Sequence, residues 1–313
     1  MSSHTLLDST RPVPPGQCLC LSLIPYSVER LLNVLVVGAN GMLGAELVNA
    51  LGQRRLRHRG IDVDELDITD PVAVSSVLAA QAPQVVVNCA AYTAVDRAEE
   101  DRAAAISVNA DGPANLARAA KEVGALLVHF STDFVFDGQK GAPYRVFDET
   151  NPLSVYGQSK LMGEEFVRRE GHEYLIVRTS WLYGGNGPNF VSAILNKAKQ
   201  GQDLRVVDDQ VGRPTWTRDL ATATLDLIQI GARGIFHVTG GGHKVSWLGF
   251  AQRALELSSL GARVSGIAAE EWGALARRPS YSVLDNSATE AIRGRPMPDW
   301  DVALRQFLED TAA

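Results

Sequence analysis

The amino-acid sequence predicts an α/β protein built on a doubly wound parallel sheet. Three observations lead to this class: short β-branched runs, longer amphipathic runs that alternate with them, and a glycine-rich turn after the first β-branched run. The short runs are apolar on both faces, which is typical of strands buried inside a parallel sheet. Their alternation with helices implies right-handed crossovers that cover the sheet on both sides.

Individual elements follow from these patterns. The β-branched runs predict strands at Asn33–Val37, Gln84–Asn88, Ala125–Phe130 and Tyr174–Arg178. The amphipathic runs between them predict helices at Leu43–Leu51, Pro71–Gln81, Gly112–Val123 and Gly157–Arg169. Beyond residue 180 the pattern loosens, and we expect a late strand at Gly234–Val238 with helices near 189–200, 217–230, 246–257 and 299–310.

Residues 1–32 differ from the rest of the chain. Pro12, Pro14, Pro15 and Gly16 break any helix there, and the apolar patch that follows is short. Because chain termini are often poorly ordered, we expect this segment to be a loose extension outside the fold.

Composition narrows the class of protein. The chain has 313 residues, 45% of them hydrophobic, with 36 acidic and 30 basic side chains and a net charge of −6. This balance excludes wholesale disorder and fibrous classes, and no apolar run approaches the roughly 20 residues of a membrane-spanning helix. The negative charge argues against nonspecific nucleic-acid binding, and Cys18, Cys20 and Cys89 cannot form a disulfide framework. We therefore expect a cytoplasmic protein whose partners include neither membrane nor nucleic acid.

The first strand runs into a GxxGxxG turn formed by Gly38, Gly41 and Gly44. In a Rossmann-type fold the first glycine lets the chain turn, the second lets the backbone approach a pyrophosphate, and the third lets the helix pack close to the strand. The N-terminus of that helix then presents unpaired N–H groups to the phosphates. The strand before the turn and the helix after it both fit, so the turn predicts a dinucleotide site.

An acidic residue that reads the ribose hydroxyls is expected at the end of the second strand, about 20 residues further on. Asp62 is the candidate, which favours NADH, but the strand is weakly defined and follows a run of arginines that could hold the 2′-phosphate of NADPH. The sequence leaves the two cofactors open. Asp67 and Ile68 would lie by the adenine ring at the next loop, and Asp67 could equally be a helix-start carboxylate.

Tyr156 and Lys160 are spaced i and i+4 near the start of a predicted helix, so they share one face. A free tyrosine has a pKa near 10, and a neighbouring ammonium stabilises its phenolate. We therefore expect Lys160 to lower the pKa of Tyr156.

Ser131 and Thr132 follow a buried strand at the carboxyl edge of the sheet, where α/β folds bind ligands. A hydroxyl, a phenol and an ammonium beside a nicotinamide form an apparatus for carbonyl reduction.

These motifs together resemble the extended short-chain dehydrogenase/reductases and, more narrowly, the dTDP-4-dehydrorhamnose reductase family. The resemblance runs from about Asn33 to the C-terminus. It is carried by Val87–Asp96, Ser131–Gly138, Val155–Lys160, Arg178–Tyr183, Asp209–Thr215, Arg277–Pro279 and Pro298–Trp300.

The resemblance implies a role for each matching residue. The catalytic residues would be Thr132, Tyr156 and Lys160, with Tyr156 as the proton donor. The cofactor would contact the glycine loop, the adenosine-side residues, the segment after the third strand and the catalytic pair, that is Gly38, Gly41, Met42, Leu43, Gly44, Asp62, Asp67, Ile68, Ala91, Tyr92, Thr93, Tyr156 and Lys160. The substrate would contact Thr132, Asp133 and Trp181.

Two arginines, Arg213 and Arg278, are candidates for the substrate diphosphate because guanidinium groups suit phosphate oxygens. No metal site is assigned, since the six histidines lack paired-ligand spacing. His129 and His237 lie in buried-strand patterns and are expected in the core.

The family implies a Rossmann-type domain and a smaller C-terminal α/β domain. We assign residues 33–180 and 215–239 to NAD(P) binding, and residues 181–214 and 240–313 to the sugar nucleotide. The predicted reaction is NADPH- or NADH-dependent reduction of the 4-keto group of a dTDP-6-deoxyhexulose, in the manner that yields dTDP-L-rhamnose. A monomer or homodimer is expected, with Mg²⁺ as a further possibility that the sequence does not decide.

Three alternatives stay open at this point. The first is a 4-ketoreductase for another dTDP-deoxysugar of natural-product glycosylation. The second is an epimerase or dehydratase on the same scaffold, although Thr132-Asp133-Phe134 offers one carboxylate where dehydratases place an acidic pair. The third is a non-catalytic regulatory subunit similar to the methionine adenosyltransferase β subunit.

Overall fold

The computed structural model describes residues 32–185 and 187–312. The predicted N-terminal extension lies outside this range except for its last residue. Six strands form the central sheet in the order β10-β5-β4-β3-β1-β2, and each neighbouring pair is parallel. They are β1 Val34–Val37, β2 His58–Ile61, β3 Val85–Asn88, β4 Leu126–Thr132, β5 Tyr174–Thr179 and β10 Gly234–His237.

Helices cover both faces of this sheet. The helices of the described residues, both those on the sheet and those beyond it, are in chain order α1 Met42–Gln53, α2 Pro71–Gln81, α3 Arg97–Glu100, α4 Arg102–Ile106, α5 Gly112–Glu122, α6 Val155–Glu170, α7 Phe190–Lys199, α8 Thr217–Ile230, α9 Trp247–Leu257, α10 Ala269–Trp272, α11 Ser287–Arg293 and α12 Trp300–Ala312. A π-helical turn, Ser107–Asp111, joins α4 to α5, and a 3₁₀ turn, Asp133–Val135, follows β4.

The core consists of two apolar layers, one on each face of the sheet. Val34 and Val36 point into a cluster with α1 and α8, whereas Leu35 and Val37 point into a second cluster with α2 and α5. Alternation along a strand sends successive side chains to opposite faces. All four residues of β1 are buried because helices cover both of those faces.

A second body of structure lies beyond the sheet. Helices α7, α9 and α12 pack around the buried Phe250, with Trp216 and Trp300 beside it. Small strand pairs complete this part: β6 Leu182–Tyr183 with β9 Thr215–Trp216, β7 Leu204–Val207 with β12 Val264–Ile267, and β8 Val211–Gly212 with β11 Val245–Ser246.

The α/β class and the parallel sheet are confirmed, and each strand and helix predicted from the β-branched and amphipathic runs is present. Helix α6 begins two residues earlier than expected, since the Ser154 hydroxyl caps it by accepting a hydrogen bond from Gly157 N at 3.2 Å. The division into two domains stays a prediction. Met297 and Ile292, which were assigned to the sugar-nucleotide domain, pack on the cluster between the sheet and α1.

Both histidines expected in the core are fully buried. Among the described residues, no helix combines the length and apolar character needed to cross a membrane.

Leu47 tests the packing of α1 on the sheet, because its side chain is fully buried between them. We expect Leu47→Ala to lower the free energy of unfolding by about 2–5 kcal/mol, through lost burial and the cavity that remains. Urea denaturation followed by circular dichroism measures the change. The control is Leu275→Ala, whose side chain is 64% exposed and should change stability by no more than about 0.5 kcal/mol. Equal effects of the two substitutions would contradict this packing.

Candidate active site

The candidate site lies at the carboxyl edge of the sheet, where β1 stands between β2 and β3. The chain leaves β1 to form α1 on one face and leaves β3 towards helices on the other face, so a crevice opens between the two loops. Ligands of open α/β sheets bind at such a switch point. The glycine loop, the segment 89–96 after β3 and the end of β4 all reach this edge.

The glycine loop depends on close approach of backbone segments. Gly38 has φ of 78°, and a β-carbon there would lie 2.6 Å from the Ala90 nitrogen. A β-carbon on Gly44 would overlap the carbonyl oxygen of Gly38. Both positions therefore require glycine if α1 is to begin directly against the loop.

The beginning of α1 presents free donors to the crevice. Gly41 is its N-cap in an extended conformation, and no side chain of the described residues caps the helix. The first-turn N–H groups, including those of Met42 and Leu43, have no partner within the helix, and the positive end of the helix dipole lies there. The loop thus fits the pyrophosphate of a dinucleotide cofactor.

Asp62 lies at the end of β2, next to the glycine loop. Its carboxylate accepts hydrogen bonds from Asn40 N at 2.7 Å and from Val63 N at 2.8 Å. The nearby arginines face elsewhere: Arg54 pairs with Asp226 at 2.9 Å and Arg59 with Glu65 at 2.7 Å. The charged group beside the predicted ribose position is therefore a carboxylate.

Asp67 and Ile68 have clear structural roles in the next loop. Asp67 accepts hydrogen bonds from Thr69 N at 2.9 Å and Thr69 Oγ1 at 2.8 Å, which hold the pKa of its carboxyl below the usual value. Ile68 is buried and its carbonyl accepts from Asn115 Nδ2 at 3.0 Å. Their contact with an adenine ring stays a prediction.

Residues 91–93 are held by Asn109, which sequence reasoning missed. Its side chain accepts from Tyr92 N at 2.8 Å and donates to Tyr92 O at 3.0 Å, and it also donates to Ser159 Oγ at 3.0 Å. Asn109 lies in the π-helical turn, 50 residues from Ser159. The contact fixes the predicted cofactor segment against the helix that carries Tyr156. A lone asparagine inside a helical pattern gives no sequence signal for this role.

Thr132 ends β4, and Tyr156 and Lys160 lie near the start of α6, so all three residues are at this edge of the sheet. Thr132 Oγ1 donates to Asp133 Oδ1 at 3.1 Å and accepts from Phe134 N at 3.2 Å. Thr132 also lies near enough to the Tyr156 phenol to act on its pKa. Tyr156 and Lys160 occupy the first two turns of α6, and Lys160 is almost fully buried.

Burial dominates the protonation of this pair. It raises the pKa of Tyr156 to about 12, although Thr132 opposes the shift. The expectation that Lys160 lowers the pKa of Tyr156 is therefore wrong, because burial raises this pKa and the opposing influence comes from Thr132. Burial also lowers the pKa of the Lys160 ammonium to about 8, against the attraction of Glu164. At neutral pH the phenol thus holds its proton and the lysine is largely charged.

A cavity of about 810 Å³ opens beside this group. Trp181, Phe134 and Ser282 line it, and Trp181 stacks on Trp247 with 3.6 Å between ring centroids and 6° between planes. Burial raises the pKa of Asp133 to about 7, against hydrogen bonds from Ser282 and Thr132. Of the sequence-predicted substrate residues, Trp181 lines the cavity, and Asp133 lies between Thr132, whose hydroxyl it binds, and Phe134, which lines the cavity.

The two predicted phosphate-binding arginines differ. Arg278 lines the cavity and pairs with Asp96, with 2.7 Å between Nη2 and Oδ2. Arg213 is not part of that lining; its Nη1 donates to Leu284 O at 3.4 Å, and its buried Nε has no partner among the described residues. Arg277, which sequence reasoning did not single out, is exposed and also lines the cavity. It is therefore a second candidate beside Arg278. Within residues 32–185 and 187–312, no cluster of three or more potential metal ligands occurs.

Known proteins match nearly the whole chain. The model of the RmlD substrate binding domain family matches residues 32–313. A dTDP-4-dehydrorhamnose reductase from Streptomyces griseus is 44% identical over 287 residues, which cover 87% of this chain and 91% of that protein. The crystal structure of a dTDP-4-dehydrorhamnose reductase from Clostridium acetobutylicum superposes with a TM-score of 0.87 at 43% identity, covering 90% of this chain and 100% of the other. A dTDP-4-dehydrorhamnose reductase from Bacillus anthracis, solved in complex with NADP, gives a TM-score of 0.86 at 38% identity, with coverage of 89% and 99%.

Gly44 tests the fit between the loop and a nicotinamide cofactor. We expect Gly44→Ala to weaken NADH binding at least about tenfold, equivalent to roughly 1.4 kcal/mol, because the new methyl group overlaps the Gly38 carbonyl and displaces the loop. Isothermal titration calorimetry measures the dissociation constant. Gly261→Ala is the matched control, since a β-carbon at Gly261 meets only open space. Unchanged affinity in the Gly44 variant would show that the loop does not hold the cofactor.

Proposed function

The chain belongs to the RmlD substrate binding domain family, and from this premise we propose that it reduces the 4-keto group of a dTDP-6-deoxyhexulose, converting dTDP-4-dehydro-L-rhamnose to dTDP-L-rhamnose. The observation that carries the proposal is that Thr132, Tyr156 and Lys160 lie at the same edge of the sheet as the glycine loop, and that Tyr156 packs against Phe134, which lines the cavity. The proposal includes a cytoplasmic enzyme that works as a monomer or homodimer. A role for Mg²⁺ would then lie in assembly and not in the chemistry.

Thr132, Tyr156 and Lys160 each have a separate role in the proposed carbonyl reduction. A nicotinamide cofactor, when bound, supplies the hydride that adds to the carbonyl carbon. The Thr132 hydroxyl holds the carbonyl oxygen, and the Tyr156 phenol donates the proton that turns this oxygen into a hydroxyl group. The Lys160 ammonium stabilises the phenolate that remains on Tyr156. A tyrosine phenol holds its proton at neutral pH, and burial strengthens this hold by raising the pKa of Tyr156 to about 12, so the tyrosine can donate a proton in the reductive direction.

NADH is the cofactor that Asp62 favours. Its carboxylate, anchored by Asn40 N, would bond to two ribose hydroxyls and would repel a 2′-phosphate. Arg57, at the other end of β2, is separated from Asp62 by roughly 16 Å of extended chain. Arg54 and Arg59 are already neutralised by carboxylates. These two arginines are thus engaged by carboxylates other than Asp62.

The sugar nucleotide would occupy the cavity, with its keto-sugar toward Thr132 and Asp133. Among the cations of the lining, we assign the diphosphate to Arg277 and Arg278, since a guanidinium group can bind two phosphate oxygens at once. Trp181 and Trp247 offer a flat apolar wall for a ring. These contacts make residues 181–214 and 240–313 the proposed substrate domain.

The test supplies the substrate and follows cofactor oxidation. dTDP-4-dehydro-L-rhamnose is made in situ by a dehydratase and an epimerase, and NADH loss is measured with product identified by mass spectrometry and NMR. Turnover to dTDP-L-rhamnose is the expected result. Turnover only with another dTDP-keto-sugar would favour the alternative ketoreductase, and bound cofactor without any turnover would favour a regulatory subunit.

Tyr156→Phe should lower kcat at least about a hundredfold, the usual contribution of a positioned acid–base group. The phenol is the proposed proton donor, and phenylalanine keeps the ring against Phe134, whose centroid lies 5.5 Å away. NADH affinity should persist, which calorimetry checks. Turnover at the wild-type rate would refute the role of Tyr156.

Asp62→Asn should change the preference between cofactors. We expect the ratio of NADPH to NADH affinity to rise about tenfold, equivalent to roughly 1.4 kcal/mol, since the amide keeps the shape of the carboxylate without its charge. Dissociation constants for both nucleotides measure the ratio. Asp64→Asn removes an exposed carboxylate two residues away and should leave the ratio unchanged. The proposal about Asp62 fails if both variants behave alike.

A further inference from the structure

Glu164 is a buried carboxylate directly behind the catalytic pair. It lies on α6 one turn after Lys160 and two turns after Tyr156, so all three share one face of the helix. Its side chain is 2% exposed. A carboxylate this deep in a protein is stable only when paired and hydrogen-bonded.

Three hydrogen bonds meet on this carboxylate. Arg178 donates to it twice, from Nε at 2.8 Å and from Nη2 at 2.6 Å. Ser131 Oγ donates to Oε1 at 2.5 Å. The bidentate pair fixes both position and orientation of the carboxylate, because the planar guanidinium matches its two oxygens.

These bonds connect the three elements that carry the catalytic residues or flank them. Ser131 directly precedes Thr132 on β4, and Arg178 lies opposite Ser131 in the register of β5. Glu164 therefore ties the helix of Tyr156 to the strand of Thr132. A displacement of about 1 Å between such groups can lower a rate a hundredfold.

Glu164 also acts on the Lys160 ammonium one turn away on the same helix, since its negative charge raises the pKa of Lys160 against the effect of burial. The other titratable groups that interact with Lys160 are His129 on β4 and Cys89 after β3, and Tyr156 precedes it by one turn on α6. Burial raises the pKa of the Cys89 thiol and lowers that of His129, so both are neutral at physiological pH. Among the described residues that influence Lys160, Glu164 thus supplies the negative charge.

We propose that Glu164 is a positioning residue for the reduction: held by Arg178 and Ser131, its carboxylate sets the helix of Tyr156 against the strand of Thr132 and provides the counter-charge of Lys160. The inference rests on the proposed function for its kinetic consequence. The effect of Glu164 on the titration of Lys160, in contrast, does not depend on which reaction the protein catalyses.

Glu164→Gln is the direct test, with Glu165→Gln as matched control. Both substitutions remove one carboxylate from the same helix, but Glu165 is exposed. We expect Glu164→Gln to lower kcat at least about tenfold with KM and NADH affinity within about twofold, because the amide leaves the binding surfaces in place while misaligning the proton donor. Glu165→Gln should behave as wild type.

The pH profile separates positioning from a general loss of structure. Loss of the carboxylate leaves the positive charge of Lys160 less stabilised, so its proton dissociates at a lower pH. The alkaline limb of kcat should therefore move to lower pH by about one unit. NMR of the enzyme with labelled lysine should show the same displacement of the Lys160 titration in the protein without substrate.

Two further variants keep the test decisive. Ser131→Ala keeps the charge and should lower kcat without moving the Lys160 titration. Glu164→Gln combined with Arg178→Met leaves no unpaired guanidinium in the core. Because it removes both charges of the pair, it should shift the Lys160 titration less than the single variant does, and it must still lower kcat if the single variant does not fold. An unchanged Lys160 titration together with unchanged kcat in the folded variants would overturn the proposal. If the wild-type protein turns over none of the keto-sugars, the proposed function fails, and the lysine titration alone decides about Glu164.

Discussion

Covering both faces of a parallel sheet with helices is the constraint on which the rest of this structure depends. Alternate residues of β1 enter two different apolar layers, so its side chains meet no water on either face. Polar groups are then accommodated chiefly at the ends of strands. The loops after β1 and β3 diverge at the carboxyl edge, and the crevice between them collects the glycine loop, Thr132 and the first turns of α6. Fold and site are thus consequences of the same layering.

The most deeply buried ion pair of this core is compensated within itself. The Arg178–Glu164 pair is almost completely buried, yet each partner satisfies the other through two hydrogen bonds. A pair of this kind adds little stability over an apolar pair of similar volume, but it fixes geometry and loses much when one partner is removed. Asp133 and Lys160 show the other outcome of burial, since their pKa values move toward neutrality from opposite sides. The same loss of solvent that threatens stability prepares groups for proton transfer.

The features that could be predicted from the sequence are those that a short local pattern determines. The apolar strands, the glycine loop and the spacing of Tyr156 and Lys160 are visible because each lies within a few residues. β2 is the weakest of the predicted strands because His58–Ile61 forms an edge that is only partly buried and so lacks an apolar run. The contacts of Asn109 with Ser159 and of Asp96 with Arg278 join residues 50 and 182 positions apart, and no periodicity reveals them. The two-residue strands likewise exist only through their tertiary partners.

The stacked indoles of Trp181 and Trp247 have an optical consequence. Of the five tryptophans in the chain, these two and Trp272 line the cavity, whereas Trp216 and Trp300 are buried in the cluster around Phe250. Ring overlap at 3.6 Å couples the transitions of the first pair. Intrinsic fluorescence therefore contains two contributions, one from the tryptophans of the cavity wall and one from the two buried tryptophans. A molecule that enters the cavity alters the contribution of the wall, and the buried tryptophans serve as an internal standard.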